Sequence, residues 1–336
     1  LLNKLSLNKV LSVVDDMLVV IIILVTTFSF FIGVFLVFFT NVGDVVQWHS
    51  DVPLDFLILG LFGLSSINFN LGISFVFFLI VYLACYIICF LKPIPIFQLS
   101  SVKKPFRMLG LERINIQRDN YLAITISWFS GYFVLSILID VIQQLFGVTL
   151  GNPLTANPLL SFFYLTAAPL NEEIFFRVIL LGLPLFILFV PFGKGLFLST
   201  LYHPYKNVPY EKGKYTTLAV AIIIVLNSLA FGLSHVLFGG GYELGKITQA
   251  ALGGVIIAWL YYRYSLSSAI TFHWISNFVF FAYSIFGFFL FKSPWNTESD
   301  NIFLAIVSVV FIVMGIIFLY GLTERLIKKY LKKSKI

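Results

Sequence analysis

Apolar runs of 18 residues or more recur along this chain, beginning with MLVVIIILVTTFSFFIGVFLVFFT at 17–40. A helix of about 20 apolar residues matches the hydrocarbon core of a bilayer. In lipid, every backbone N–H and C=O must find its partner within the protein. Recurring runs of that length therefore point to a bundle of transmembrane helices. Composition agrees: of 336 residues, 60% are hydrophobic and only 11% are charged, against roughly a quarter charged in soluble domains. The expected fold is all-α, a polytopic membrane protein.

Eight candidate spans follow from the runs: 17–40, 71–91, 121–148, 159–192, 217–238, 246–262, 266–291 and 302–322. The apolar stretch at 54–67 is too short to cross and reads as interfacial or re-entrant. The run 159–192 is too long for one straight crossing, and Pro169 and Pro184 are expected to break it, with a new helix starting near Pro169. The first run is longer than a signal-peptide core and follows Asp15 and Asp16, so it is expected to be a retained helix.

Charge in the connections supports this count. The connections 92–120 and 193–216, the turn at Arg263 and the tail from 323 are basic, whereas 41–53, 149–158 and 292–301 are not. The alternation places both termini in the cytoplasm by the positive-inside rule. The formal charge of +7 reflects these loops and implies no nucleic-acid partner, while the basic tail suits either plain solvation or contact with anionic lipid heads. Cys85 and Cys89 lie four apart on one helical face, which disfavours a disulfide and reads as small core thiols.

Against this background, NEEIFFRVILL at 171–181 is out of place. Each charge at the bilayer centre costs roughly 2.5–3.5 kcal/mol on insertion scales. Glu173 and Arg177, four apart, can pair. Glu172 is rotated about 100° away and is left over. Two of the four histidines also fall inside apolar runs: His235, one turn after Phe231, and His273, one turn before Asn277. His49 and His203 lie in loops and read as incidental.

An acid, two imidazoles and a carboxamide in three apolar helices make a hydrolytic set. The carboxylate can take a proton from water. The imidazoles can hold that water, or a metal that activates it. The amide can donate to an oxyanion. No Ser or Cys nucleophile carries its own base, and no HExxH pair is present.

The ordered motifs EExxxR (172–177), FxxxH (231–235) and HxxxN (273–277) resemble the CPBP family, the CAAX-protease and bacteriocin-processing, or abortive-infection-type, intramembrane proteases. The resemblance covers roughly 159–281 and implies a four-helix catalytic core within 159–291. Residues 1–158 would then be peripheral helices with a basic loop, and 292–336 a last span with a basic tail. It implies that Glu172 activates water, that His235 and His273 hold the water directly or through a metal, that Asn277 binds the oxyanion, and that Glu173 and Arg177 brace the site. Zn2+ or another divalent ion, held by Glu172, His235 and His273, is one version; a metal-free site is the other. The implied substrate is a peptide or protein at the membrane, prenylated in some family members. A transporter or channel with an intramembrane Glu/His relay, or a non-catalytic immunity or scaffold protein, would also use such residues.

The protease reading carries a geometric condition. His235 lies about 27 Å along its span from the cytoplasmic end, and His273 about 10 Å along its own. They meet only if the turn at 262–269 dips inward or the glycines at 239–241 shift a helix end.

Overall fold

The structure is a computed structural model of the chain, and it describes residues 7–40, 51–54, 67–91, 120–151, 158–191, 196–209, 213–238, 241–292 and 301–333. His49, most of the segment 54–67, the basic loop 92–119, Gly239 and Gly240 lie outside the described residues.

Helices dominate: α1 (Leu7–Phe39), α2 (Leu71–Leu91), α3 (Tyr121–Leu145), α4 (Pro158–Glu173), α5 (Leu183–Phe189), α6 (Leu196–Tyr202), α7 (Lys214–Phe238), α8 (Gly245–Arg263), α9 (Leu266–Trp274), α10 (Phe280–Phe291) and α11 (Ile302–Lys333). Two π-helical segments interrupt them, Ile174–Gly182 between α4 and α5 and Ile275–Val279 between α9 and α10. Among the described residues, extended chain is limited to a two-stranded antiparallel ribbon, β1 (Asp51–Leu54) on β2 (Ile67–Asn70), with Asp51 opposite Asn70, and an isolated bridge between Gly151 and Tyr242. The two ends of the apolar stretch 54–67, Leu54 and Ile67, therefore pair with each other.

Among the described residues, six helices are long and apolar enough to cross a membrane: Met17–Phe39, Gly72–Leu91, Tyr121–Leu145, Lys214–Phe238, Leu266–Phe291 and Ile302–Ile327. The protein is a multi-pass membrane protein. The other two expected spans, 159–192 and 246–262, fall short of that standard for local reasons. The first carries Glu172, Glu173 and Arg177 together, and the second, α8, is rich in small and polar residues such as Thr248, Gln249, Gly253 and Gly254.

The expected break at Pro169 does not occur; α4 runs through it to Glu173. A proline inside a helix removes one N–H and crowds the preceding turn. Here the Tyr82 hydroxyl enters the disturbed ladder. It receives a hydrogen bond from the Leu170 amide at 3.3 Å and donates to the Thr166 carbonyl. A neighbouring helix thus repairs the turn, as membrane helices require. Pro184 does take a first-turn position, in α5, but the helix before it continues as a π segment.

The rod formed by α9, the second π segment and α10 runs through the middle of the packed bundle. Trp274 is fully buried and stacks on Phe30 of α1 at 4.4 Å. Phe272 meets Phe129 of α3 at 5.3 Å, and Phe278 meets Phe162 of α4 at 5.0 Å. Much of the aromatic content therefore fills the interior, where rings contribute area and favourable edge contacts, rather than only facing lipid. The outward faces of α1, α2, α7 and α11 remain apolar, with Phe31, Ile80, Leu226 and Val309 exposed. Cys85 and Cys89 are free and buried, and Cys89 Sγ lies 3.7 Å from both Ser268 Oγ and Thr271 Oγ1.

Helices α7 and α8 form a tight antiparallel pair. A Cβ on Gly232 would stand 2.6 Å from the Ile247 carbonyl, and one on Gly254 would stand 3.1 Å from the Ser228 Cα. Small residues thus let the backbones touch. Their common end is tied to the end of α3 by the Glu243 amide donating to the Leu150 carbonyl at 2.9 Å and the Gly245 amide donating to Thr149 at 3.0 Å.

Candidate active site

Glu172 and Glu173 end α4, and the chain passes at once into the π segment. One-residue widenings of this kind recur at functional sites because they re-aim side chains. Glu173 and Arg177 are wholly buried, and Arg177 Nε donates to Glu173 Oε2 at 2.8 Å. This is the expected pair, set in a wider network. Glu173 Oε1 accepts from His273 Nδ1 at 2.8 Å. Arg177 Nη1 donates to the Asn227 carboxamide oxygen, and Asn227 Nδ2 donates to the Phe176 carbonyl at 2.6 Å. The guanidinium also stands 4.8 Å from the centre of the Phe231 ring, a cation–π contact. Buried ions need this degree of pairing.

Glu172 turns the other way. Its Oε2 stands 3.9 Å from Nε2 of His235 and 3.9 Å from Nε2 of His273. Both distances exceed a hydrogen bond, and Glu172 Oε2 has no direct partner among the described residues. The two rings are held from behind. His235 Nδ1 donates to the Phe231 carbonyl at 2.8 Å, and His273 Nδ1 donates to Glu173. In the neutral form each therefore directs an Nε2 lone pair toward Glu172. Asn277 Nδ2 lies 3.4 Å from His273 Nε2. All four expected residues, Glu172, His235, His273 and Asn277, thus converge.

The turn after α8 is roofed by protein: Tyr202 bonds Ser267 at 2.7 Å, His203 Nε2 meets the Arg263 carbonyl at 2.9 Å, and Ser265 and Ser268 are fully buried. His203, expected to be incidental, is one of the groups that fasten this roof. On the opposite side of the meeting point, Phe231 packs its ring 4.7 Å from His235 and 5.9 Å from His273.

One carboxylate oxygen and two imidazole nitrogens face a common point, and Asn277 Nδ2 brings a donor to His273 Nε2 beside it. Zinc ligands at 2.0–2.2 Å in tetrahedral array stand about 3.3 Å from one another. The spacing here is 3.9 Å. Among the described residues no group of three His, Cys, Asp or Glu side chains is placed to hold a metal ion. As placed, the donors do not fit a resident zinc.

Sequence reasoning missed Asn227, Tyr82, Tyr242 and Lys246. Asn227 had a signal: Asn227, Phe231 and His235 recur every four residues and share one face of α7. Tyr82 had none, because its role depends on a proline 87 positions away in sequence. Lys246 and Tyr242 flank the His235 side. Lys246 Nζ is 4.8 Å from the Tyr242 ring centre, and that ring is 5.7 Å from His235.

Residues 154–279 match the family described as Type II CAAX prenyl endopeptidase Rce1-like. Neither a curated protein nor a solved structure gives a significant match to the chain. The matched stretch begins just before α4 and ends with the second π segment, so it holds Glu172, Glu173, Arg177, His235, His273 and Asn277. Within this multi-pass membrane protein, residues 154–279 form a domain of the Rce1-like type II CAAX prenyl endopeptidase (CPBP) family.

Proposed function

We propose that the protein is an intramembrane endopeptidase in which Glu172 activates water for attack on a peptide carbonyl. The observation that carries this reading is the convergence of Glu172 Oε2 with the Nε2 atoms of His235 and His273 at 3.9 Å each. Polar atoms at that separation suit a water held between them. His235 and His273 hold the water, with their orientation set by Phe231 and Glu173. Glu172 takes a proton as the water oxygen bonds to the carbonyl carbon. The developing oxyanion receives a hydrogen bond from Asn277 Nδ2. Collapse breaks the C–N bond, and the proton held on Glu172 passes to the leaving amine. Glu173 and Arg177 act as positioning residues.

The substrate is a peptide or protein terminus at the membrane, prenylated or otherwise membrane-associated. The catalytic core spans 159–291, flanked by 1–158 and 292–336. Both termini lie in the cytoplasm, as the basic connections direct. Support comes from the family match together with the partial exposure of the reactive groups: the Glu172 side chain is 22% accessible and His235 14%, against 0% for Glu173.

The test is cleavage of membrane-associated peptides by the purified full chain, wild type against Glu172→Gln. Cleavage is expected in the first and its loss in the second. Equal cleavage by both would remove Glu172 as the base.

A further inference from the structure

Tyr242 stands at the open half of the site with an unused hydroxyl. It lies in the short connection between α7 and α8 and is partly buried. Its main chain is held in place: Tyr242 bridges to Gly151, and the next amide, that of Glu243, donates to the Leu150 carbonyl at 2.9 Å. Its ring is held as well, with its centre 5.7 Å from the His235 ring and 4.8 Å from Lys246 Nζ. Lys246 is itself anchored, donating to Gln249 Oε1 at 2.9 Å, and Gln249 Nε2 donates to Ser136 Oγ of α3 at 2.6 Å. Buried phenols ordinarily find a partner, and Tyr82, Tyr261 and Tyr262 each donate to a backbone carbonyl. The Tyr242 hydroxyl makes no hydrogen bond among the described residues.

The surroundings also fix its protonation. Burial first, and the Glu172 carboxylate second, push the phenol above its usual range, so the hydroxyl keeps its proton and serves as a donor. Hydrolysis of an amide places negative charge on the carbonyl oxygen, and preorganised donors aimed at that oxygen lower the barrier. On the His273 side of Glu172 such a donor is Asn277 Nδ2. On the His235 side the neutral group with a free O–H is Tyr242. We propose that Tyr242 is a further catalytic residue, whose hydroxyl donates a hydrogen bond to the substrate carbonyl oxygen as it becomes an oxyanion and shares that charge with Asn277. The inference rests on the protease reading for the reaction itself. It adds a second oxyanion donor, supplied by the α7–α8 connection rather than by a membrane-crossing helix.

The test pairs turnover with binding in the full chain, reconstituted in nanodiscs, wild type against Tyr242→Phe. That change removes one oxygen and keeps the ring beside His235 and Lys246. A fluorogenic farnesylated peptide is the substrate, and the same peptide with a phosphinate in place of the bond that the wild type cuts stands in for the tetrahedral intermediate. Tyr242→Phe is expected to lower kcat by about 10²-fold while KM changes by less than about twofold. Phosphinate binding should weaken by a similar factor, and affinity for the uncut peptide should stay the same. A raised KM with kcat unchanged, or an equal loss of affinity for peptide and phosphinate, makes the hydroxyl a ground-state or structural contact and overturns the proposal. A wild type that cuts the peptide and a Tyr242→Phe protein that cuts it equally well overturn the proposal alone and leave the protease reading standing. A wild type that cuts no membrane-associated peptide removes the protease reading, and the proposal with it.

Discussion

Glu172 and Glu173 are neighbours in the chain with opposite surroundings. Glu173 belongs to the dry half of the site, where His273, Arg177 and Asn227 bind one another and both of its oxygens are used. Glu172 belongs to the open half, with His235 and Lys246, where distances are longer and Oε2 has no direct partner. Glu173, with both oxygens bonded, fixes the His273 ring and the Arg177 side chain, whereas Glu172 Oε2 faces the two Nε2 atoms without a hydrogen bond of its own. The dry half is the frame that holds the open half in place.

Substitution at the two glutamates should separate these roles most sharply. Glu172→Gln is expected to lower turnover by about 10²–10⁴-fold, the scale of general-base catalysis, with thermal stability in detergent little changed. Glu173→Gln should instead lower stability by about 3–5 kcal/mol, because it strands the Arg177 charge in a buried site. Denaturation of both variants checks the contrast, and equal destabilisation would dissolve it.

Smaller effects probe the frame from further out. Asn227→Ala leaves Arg177 Nη1 and the Phe176 carbonyl without partners, and a loss of about 2–3 kcal/mol is expected from the denaturation midpoint. Tyr82→Phe removes the hydroxyl that spans Leu170 and Thr166, at about 1–3 kcal/mol. Cleavage should fall with it, because α4 carries both glutamates just beyond that turn. A Tyr82→Phe protein of full stability and activity would show that the proline turn needs no repair. The least effect is expected from chelation: with the donors spaced at 3.9 Å, exhaustive treatment with a chelator should leave peptide cleavage unchanged. Loss of activity restored by added zinc would place a cation in the open half.

The membrane class, the six long apolar helices and the residues that gather at the candidate site were legible from residue order. Transfer of apolar side chains into lipid is nearly additive along a helix, so local runs reveal spans. Charges inside such runs reveal themselves by their cost. Spacing by four was enough to pair Glu173 with Arg177 and to leave Glu172 over. Periodicity did not reveal that α4 continues through Pro169, that two π segments re-aim the site, or that Tyr82, Asn227 and Lys246 contribute.

Residue types and their one-turn neighbours depend on local energetics, and the linear order carried those: which segments enter lipid, and which acid, imidazoles and amide do not belong there. The meeting of His235 and His273 around Glu172 and the split between the two glutamates arise from contacts between residues far apart in the chain. A helix accepts a proline or an extra residue per turn only when another helix supplies the missing partner, and that partner is specified by packing in three dimensions.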